Sequence, residues 1–465
     1  MKKFFIKLRI CVSIIVTKFM VYLLRLMGRG GTSLPGKIAL KICPELFTVL
    51  SDRFRIIMIT GTNGKTTTSR IVAGMLDKAG IKYVSNKSGA NLSSGIATTI
   101  VSALSLFGKP LVRTALLETD EAAFRTVAPM LKPELVIVTN FFRDQLDRYG
   151  ELYTTLNNVR EGINGSPDTK LILNADDSLC ASLGIGVPNQ VIYFGLGDNV
   201  YPEEFIKANT DAAFCINCKS RYNYLSSSFG HLGHFQCPSC GYERPEAQIE
   251  CTQILEYDNI SSTIEIKTPS GKITVKLALP GLYNIYNALA GAVIGHVLEL
   301  DENDLAHVLE GFECGFGRME SLDAEGRNLR LILVKNPTGF NQVLRYLLTQ
   351  NDDCLMAFII NDKLADGTDI SWLWDVDFEI LSFMMNKVRK FFVSGIRAED
   401  MAVRLKYAGI PTDRIFIEHD GEKLINKMIE SSNEKEALYV LPTYTAMLDI
   451  RETLKERFNL REFWE

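Results

Sequence analysis

The stretch from residue 56 to residue 68 constrains the fold of this chain more than any other. The apolar run 56–59 passes through Thr60 into a segment with Gly61, Gly64 and Lys65, followed by three threonines. The apolar run predicts a buried strand, and the glycines let backbone N–H groups point toward one spot. The helix expected next would add its positive N-terminal end. The pattern predicts a phosphate-binding loop; the alternative is a glycine-rich turn that only caps a core helix.

The side chains of this loop have specific expected roles. Lys65 would reach the outer phosphates of a nucleotide, and the Thr66 hydroxyl would hold Mg²⁺. Ile59 stands where the full Walker pattern has its first glycine. The loop residues expected to contact the nucleotide are Gly61, Thr62, Asn63, Gly64, Lys65, Thr66 and Thr67.

Strand-like and helix-like patterns alternate after the loop. Residues 70–79 have a helical pattern, and residues 82–85, 111–117 and 135–139 have strand patterns. Such alternation predicts a mostly parallel sheet with helices on both faces, in which ligands bind at the carboxyl ends of the strands. Polar sets follow three strands, at 118–121, 139–147 and 173–177. We expect Glu118, directly after a strand, to bind Mg²⁺ on the nucleotide.

Two CxxC pairs form the second strong motif. Eighteen residues separate Cys215-x-x-Cys218 from Cys237-x-x-Cys240. Four thiolates at this spacing predict a closed, structural Zn²⁺ site in a small ribbon inserted at residues 211–245. A redox role for the thiols is the alternative. The remaining cysteines are scattered singly, which together with a phosphate loop indicates a reducing cytoplasm.

The bulk properties limit the possible architectures and partners. A chain of 465 residues is too long for one ordinary core, so two or three domains are expected. It has 51 basic and 55 acidic residues, and its net charge of −4 does not favour nucleic acid.

The N-terminal segment from Lys2 to Met27 is apolar and basic, and Lys18 interrupts it. Neither half is long enough to span a membrane, and no signal-peptide cleavage pattern follows. We expect one amphipathic helix, either packed on the first domain or lying on an anionic membrane surface. In both cases the protein would be cytoplasmic.

These motifs resemble those of the Mur ligases and folylpolyglutamate synthases, whose ATP loop is similar to residues 60–67. The resemblance implies a metal-ligand role for Glu118 and nucleotide contacts for Asn284 and Asn287, which follow a Gly-Leu-Tyr turn. Arg318, in Gly-Arg-x-Glu, would meet the ATP phosphates. Gln145 stands where these ligases have a histidine metal ligand.

The combination of a Mur-type ATP core, a four-cysteine insert and a different C-terminal α/β domain resembles the MurT family. The loop from 361 to 375, rich in Asp and Trp, belongs to this part of the resemblance. The expected domains are an N-terminal helix and lead-in at 1–50, the ATP-binding domain at 51–320 and the C-terminal domain at 321–465. The expected fold class is therefore α/β, with a central parallel sheet and an inserted zinc ribbon.

The resemblance implies a function: ATP-dependent amidation of the D-glutamate α-carboxylate in the lipid II stem peptide, near the inner face of the cell membrane. Ammonia would come from glutamine hydrolysed by a GatD-like glutaminase subunit in a heterodimer. The chain has only five histidines, and none stands in a nucleophile context beside a cysteine, so a separate glutaminase is needed. In the family a C-terminal Asp completes the partner's Cys-His pair, a role we assign to Asp362, with Asp366 and Asp369 as second choices.

Two other hypotheses remain open at this point. The chain could be a stand-alone Mur-type or folylpolyglutamate-type ligase that joins an amino acid to a carboxylate without a partner. It could also be a non-catalytic zinc-ribbon scaffold built on a degenerate nucleotide-binding core, although Lys65, Thr66 and Glu118 are all present.

Overall fold

The computed structural model describes residues 2–27, 32–86, 90–143, 152–198, 200, 211–257, 261–279, 281–312, 318–350, 352–433 and 436–458. The chain divides into two compact units. The first comprises residues 1–142 and 152–312, and the second is built chiefly from residues 313–463.

The first unit is an α/β layer structure. Its strands are β1 Arg55–Thr60, β2 Tyr83–Ser85, β3 Thr114–Glu118, β4 Leu135–Val138, β5 Lys170–Asn174, β6 Val191–Leu196, β7 Asn223–Ser227, β8 Gly233–Gln236, β9 Ile249–Tyr257, β10 Ser262–Thr268 and β11 Gly271–Leu277. Its described helices are α1 Lys2–Leu26, α2 Leu34–Ile42, α3 Leu46–Leu50, α4 Lys65–Lys78, α5 Ser93–Ser102, α6 Glu121–Leu131, α7 Leu152–Asn164, α8 Ser178–Ala181, α9 Leu282–Val297 and α10 Glu302–Glu310, with 3₁₀ turns at Ser51–Arg53 and Ser182–Gly184.

A nine-stranded sheet organises this unit, in the order β11-β10-β9-β6-β5-β4-β1-β3-β2. Within this sheet, every pairing between the β2 edge and β9 is parallel, while β9, β10 and β11 form an antiparallel edge. In β1, Ile56 and Met58 alternate with Ile57 and Ile59, and all four are buried. A strand buried on both sides is typical of a parallel sheet covered by helices. β1 lies between β3 and β4, so the ends of these three strands meet at one edge.

The second unit is a smaller α/β layer structure. Its strands and helices are β12 Arg318–Asp323, β13 Asn328–Ile332, α11 Pro337–Leu348, β14 Cys354–Ile359, β15 Val388–Ser394, α12 Ala398–Tyr407, β16 Ile415–Ile417, α13 Gly421–Ser431, β17 Ala437–Pro442 and α14 Tyr444–Phe458, with 3₁₀ turns at Ser371–Asp375, Phe378–Met384 and Thr412–Arg414. Its sheet has the order β12-β13-β17-β14-β15-β16 and is parallel except for the β12–β13 pair. One core lies on each face of this sheet.

Most of the predicted elements are present, and the fold class is confirmed. One strand boundary was wrong: the strand expected over 111–117 spans Thr114–Glu118 instead. The Leu111 amide donates to the Ala103 carbonyl at 2.8 Å, and the Leu111 side chain is exposed. A turn therefore closes at Leu111 before the strand begins, which the apolar sequence pattern did not reveal.

The N-terminal helix is also present, as α1. It packs by one face against α2 and α5 of the first unit. None of the described helices is long and apolar enough to cross a membrane.

Candidate active site

The loop between β1 and α4 lies at the carboxyl end of β1, in the middle of the sheet. Gly61 and Gly64 have φ values of +117° and +84°, a region that disfavours residues with a Cβ atom. A Cβ atom at Gly61 would clash with the Oγ1 atom of Thr139, and one at Gly64 would clash with the Oδ1 atom of Asn287. Both glycines are therefore required by backbone conformation and by close neighbours.

The segment after β4 holds this loop in place. The Thr62 amide donates to the Asn140 carbonyl at 2.8 Å, and the Asn63 amide donates to the Asn140 Oδ1 atom at 2.9 Å. The Thr139 hydroxyl donates in turn to the Asn63 carbonyl at 2.7 Å. A loop fixed from two sides is preorganised for a ligand, which reduces the entropy lost on binding.

Lys65, the first residue of α4, forms a buried ion pair. Its Nζ atom lies 2.8 Å from the Oε1 atom of Glu121, the first residue of α6, and both side chains are less than one-tenth exposed. The amine also donates to the Gly61 and Thr62 carbonyls. The positive charge expected to meet phosphate is therefore held inside the loop.

Thr66 and Glu118 are brought together as the sequence predicted. The Thr66 hydroxyl donates to the Glu118 Oε2 atom at 2.9 Å. Asn86 fixes the end of β3, since its side chain accepts from the Glu118 amide at 2.9 Å and donates to the Glu118 carbonyl at 2.7 Å. A hydroxyl and a carboxylate oxygen in contact are suitable ligands for Mg²⁺.

The electrostatics of this edge favour a cation. Glu118 and Glu121 are both buried, and each is hydrogen bonded to a residue at the start of α4. Lys65 balances the charge of Glu121, but Glu118 would repel an expected triphosphate unless a cation lies between them. The residues present therefore fit a nucleotide that binds together with Mg²⁺.

Asn284 and Asn287 lie on α9 beside the loop. The Asn287 Nδ2 atom donates to the Asn284 Oδ1 atom at 3.2 Å, and the Thr68 hydroxyl donates to the Asn287 Oδ1 atom at 3.3 Å. The structure thus places both residues against the start of α4. Their predicted contact with the nucleotide remains a prediction.

The acidic turn after β5 is hydrogen bonded to several neighbouring segments. Asp177 caps α8 and accepts from the Phe141 amide at 2.6 Å and from the ring of His231 at 3.2 Å. Asp176 accepts from Arg244 and from Tyr286, each at 2.6 Å. Both carboxylates are completely buried, and they tie neighbouring segments together.

The four cysteines of the insert form one cluster around the β7–β8 ribbon. Their sulfur atoms all lie within 4.8 Å of one another, with 3.3 Å between Cys218 and Cys237 and 3.6 Å between Cys215 and Cys240. Sulfur atoms bound tetrahedrally to Zn²⁺ would lie about 3.8 Å apart. A hydrogen bond from the Ser220 side chain helps to lower the pKa of Cys218 to about 6, whereas the pKa of Cys240 is raised to about 12, so the four thiols ionise unequally when no metal is bound. The cluster therefore fits the predicted zinc site.

The ribbon packs directly on the strand ends. The Phe229 ring stacks on Phe142 with centroids 5.7 Å apart, and the His231 ring lies 4.8 Å from Phe142. The Phe142 amide donates to the Thr62 hydroxyl at 3.1 Å. Burial raises the pKa of Tyr242, whose hydroxyl donates to the Ser178 carbonyl. The ribbon thus supports the segment that holds the phosphate loop.

We expect the Cys218→Ser variant to lose bound zinc and to unfold at a temperature lower by about 5 °C or more, because a structural Zn²⁺ site contributes to folding. Zinc content by elemental analysis and thermal unfolding would check this. Cys11→Ser, at an exposed cysteine of α1, is the control and should leave both unchanged. Wild-type protein without zinc at full stability would contradict the prediction.

Asp362 follows β14 in the second unit. Its Oδ2 atom lies 2.8 Å from the Arg397 Nε atom and 2.6 Å from a terminal nitrogen of the same guanidinium. The Asp362 side chain is partly exposed to solvent. Asp362 is therefore held in a defined orientation and remains accessible to another molecule.

The two second choices are already engaged within the unit. Asp366 is buried and accepts from the amide and the hydroxyl of Thr445 at the start of α14. Asp369 caps the turn at Ser371, accepting from its amide at 2.8 Å and its hydroxyl at 2.9 Å. All three aspartates are thus engaged within the unit, and the assignment of the triad role to Asp362 remains a prediction.

The side chains of two predicted site residues lie outside the described part of the structure. Gln145 lies outside the described residues, as do Gly315–Gly317 before Arg318, and only the backbone of Arg318 in β12 is described. Their expected roles remain predictions.

Sequence reasoning gave no role to the residues that hold the site in place. Glu121 was visible as one of several carboxylates after β3, but nothing in the sequence paired it with Lys65. Arg397 and His231 lie far along the chain from Asp362 and Asp177, and no spacing pattern connects them.

Comparison with known proteins gives two family matches. Residues 59–238 match the model of the Mur ligase middle domain, and residues 333–447 match that of the MurT ligase C-terminal region. The chain is 35% identical over 441 residues to the lipid II isoglutaminyl synthase (glutamine-hydrolyzing) subunit MurT of Streptococcus pneumoniae, an alignment that covers 95% of this chain and 96% of that protein.

Solved structures show the same fold at low sequence identity. A pseudomurein peptide ligase type C from Methanothermus fervidus has a TM-score of 0.66 and 19% identity, covering 89% of this chain and 81% of that chain. The MurF ligase of Thermotoga maritima, in complex with ADP, has a TM-score of 0.61 and 14% identity, covering 90% of this chain and 84% of that one. With a relative of this identity aligned over nearly its full length, the chain belongs to the MurT family of Mur-ligase-like enzymes.

Proposed function

We propose that this chain is the ATP-dependent subunit of a lipid II isoglutaminyl synthase and acts in peptidoglycan synthesis. It would convert the α-carboxylate of D-glutamate in the stem peptide of lipid II to the amide. The observation that carries the proposal is a pair of contacts at one sheet edge, Lys65 with Glu121 and Thr66 with Glu118, in a chain whose C-terminal segment matches the MurT family.

The chemistry follows from the poor reactivity of a carboxylate. A carboxylate oxygen is too poor a leaving group for ammonia to displace. The substrate carboxylate therefore first attacks the γ-phosphorus of ATP, which gives an acyl phosphate and ADP. Ammonia then adds to the acyl carbon, the C–O bond to phosphate breaks, and a proton is lost as the amide forms. Lys65 would stabilise the charge that develops on the transferred phosphoryl group, and Arg318 is proposed to do the same.

The metal and nucleotide positions are part of this proposal. Thr66 and Glu118 would hold Mg²⁺, which neutralises phosphate charge when bound. Asn284 and Asn287 would contact the nucleotide beside the loop formed by Gly61, Thr62, Asn63, Gly64 and Thr67. The relative with ADP bound shares this fold, which supports ATP as co-substrate.

We further propose that ammonia comes from a GatD-like glutaminase subunit. The relative from Streptococcus pneumoniae is named as one subunit of a glutamine-hydrolysing enzyme, which supports a heterodimer. Asp362, oriented by Arg397 and partly exposed, would orient the catalytic histidine of that subunit. The functional segments would be 1–50, 51–320 and 321–465, with the last in contact with the partner. The complex would work in the cytoplasm at the inner face of the membrane that carries lipid II.

A reconstituted assay tests this function against the other hypotheses. The purified chain would be incubated with ATP, glutamine and lipid II, with and without the glutaminase subunit, and amidated lipid II measured by mass spectrometry. We expect product from glutamine only with both subunits, and product from added ammonium with this chain alone. Ligation of an amino acid by the isolated chain would instead support a stand-alone ligase, and no turnover in any mixture would support a scaffold.

We expect the Glu118→Gln variant to need about 10–100 times more Mg²⁺ for half-maximal activity, because a neutral amide is a weaker ligand and partner for Thr66. Measuring the amidation rate and ADP affinity across a Mg²⁺ titration would check this. Glu134→Gln is a matched control, since Glu134 pairs with Arg55 at the opposite end of the strands and is exposed. An unchanged Mg²⁺ dependence in Glu118→Gln would remove this residue from the metal site.

A further inference from the structure

Helix α1 has two apolar faces, and only one is needed by the fold. Its inner face packs on α2 and α5, where Ile10, Ser13, Ile14 and Thr17 are buried and the Ser13 hydroxyl donates to the Ala39 carbonyl. A second row of apolar residues follows at alternating steps of three and four residues, which places it along one side of a helix. This outer stripe consists of Leu8, Val12, Ile15, Phe19, Tyr22 and Leu26, each at least 41% exposed.

The outer stripe lies opposite the packed face. Ile14 and Phe19, for example, are five residues apart, so their side chains point away from each other around the helix. Ile14 is completely buried, whereas Phe19 is 60% exposed. The stripe therefore contributes little to the core of the first unit, and an uncovered row of this size indicates an interaction surface.

The charge of the N-terminal segment indicates what covers the stripe. Residues 1–44 contain no acidic residue, although the whole chain has a net charge of −4. The basic residues in this segment are Lys2, Lys3, Lys7, Arg9, Lys18, Arg25, Arg29, Lys37 and Lys41. Lys7 and Arg25 are exposed on one side of the stripe, whereas Arg9 on the other side donates to the Ile42 carbonyl and pairs with Glu45. Long basic side chains beside an apolar row suit a helix that lies in the headgroup region of an anionic bilayer.

A loop that contacts α1 carries another exposed apolar residue. The segment between α5 and β3 approaches the helix, because Gly108 lies next to the Ile14 side chain and the Ser102 carbonyl accepts from Lys18. The neighbouring Phe107 is 91% exposed. Exposed aromatic residues next to basic residues are typical of membrane interfaces.

We propose that α1 docks by its outer stripe on the surface of a bilayer that contains anionic lipid, with the helix axis parallel to the membrane. A second copy of this chain is a poorer fit, because joining two stripes would bring two sets of like charges together. The proposal does not depend on the amidation reaction, since no residue of the stripe takes part in the nucleotide site. It explains how a chain without a described spanning helix stays close to a substrate with a lipid anchor.

Vesicle flotation with the full-length chain tests this surface. The probes are phosphatidylcholine vesicles with and without about one-third phosphatidylglycerol, at low and high salt. We expect binding to the anionic vesicles only, and weaker binding as added salt screens the charges. A wild-type chain that floats with neither vesicle, or equally with both, would overturn the proposal.

Two variants separate the apolar and the electrostatic contributions. The double substitution Ile15→Ser and Phe19→Ser should weaken binding at least about tenfold, because less apolar surface enters the bilayer. The double variant Lys7→Gln with Arg25→Gln should also weaken vesicle binding about tenfold or more. Because these substitutions leave the packed face of α1 intact, this variant decides the question if the first one misfolds. Phe383→Ser, at a 76% exposed position of the second unit, is the control and should bind like wild type.

The oligomeric state completes the test. Light scattering on the same proteins shows whether the stripe joins two copies. A wild-type dimer that becomes a monomer in Ile15→Ser and Phe19→Ser, without vesicle binding by either protein, would make the stripe a protein interface and refute the membrane assignment. Unchanged binding by both double variants would refute it as well.

Discussion

Replacing Lys65 by alanine is expected to reduce the rate of ATP-dependent amidation by about 10²–10³-fold or more, since it removes a preorganised positive charge from the γ-phosphate. The amine is buried and hydrogen bonded to the loop carbonyls, and residues 60–68 contain no second basic residue that could replace it. The rate of ADP release with lipid II and ammonium measures this step without the glutaminase.

The ion pair with Glu121 complicates this variant. Lys65→Ala removes the cation that balances the buried Glu121 carboxylate, and breaking a buried pair costs about 3–5 kcal/mol of stability. The double variant Lys65→Ala with Glu121→Gln also removes the negative charge of the buried carboxylate. It should recover much of that stability and stay inactive. Lys78→Ala, at the other end of α4, is the control and should keep nearly full activity. A Lys65→Ala protein with an undiminished rate would refute the proposed phosphate site and with it the proposed function.

The second large effect is expected at Asp362. Asp362→Asn should lower glutamine-dependent amidation by about 10²–10⁴-fold, because an amide orients the partner's histidine poorly and stabilises its positive charge less. The rate with added ammonium should change less than about twofold, since Lys65, Thr66 and Glu118 of the proposed nucleotide site lie in the other unit. Both rates would be measured with the reconstituted pair of subunits over a range of glutamine and ammonium concentrations.

Comparison variants separate this role from a structural one. Asp449→Asn removes the exposed ion pair with Lys363, the residue next to Asp362, and should leave both rates unchanged. Asp369→Asn tests a second choice directly, and a loss of glutamine use there instead would move the assignment. If Asp362→Asn lowers both rates equally, Asp362 supports the fold of the second unit and does not serve the glutaminase.

Local patterns in the sequence were sufficient to predict the local elements that carry the candidate site residues. Gly61 and Gly64 are needed for a backbone conformation that can be inferred from the residue type, and a buried strand before them is read from the apolar run. The four cysteines meet because two short turns each bring a CxxC pair to one point. Asn284 and Asn287 share a helix face because of the helical repeat alone.

The partners that orient these groups depend on contacts between distant segments. Glu121 reaches Lys65 because α6 begins at the end of β3, which is a neighbour of β1 in the sheet. The acidic turn after β5 illustrates the same point, since the sequence placed it among the polar sets at the strand ends and only the structure shows that Asp177 caps α8 and contacts His231. Only the strand order shows which polar side chains meet each other.

The sequence by itself determined the α/β class, the phosphate loop, the cysteine cluster and the existence of α1, because each depends on residues close together in the chain. The tertiary structure decided which carboxylate holds Lys65, that Arg397 orients Asp362, and which face of α1 is left exposed. A helix with apolar residues on two faces carries no local signal for the face that packs. That choice is made by α2 and α5, whose own apolar surfaces cover one face and leave the other for a partner.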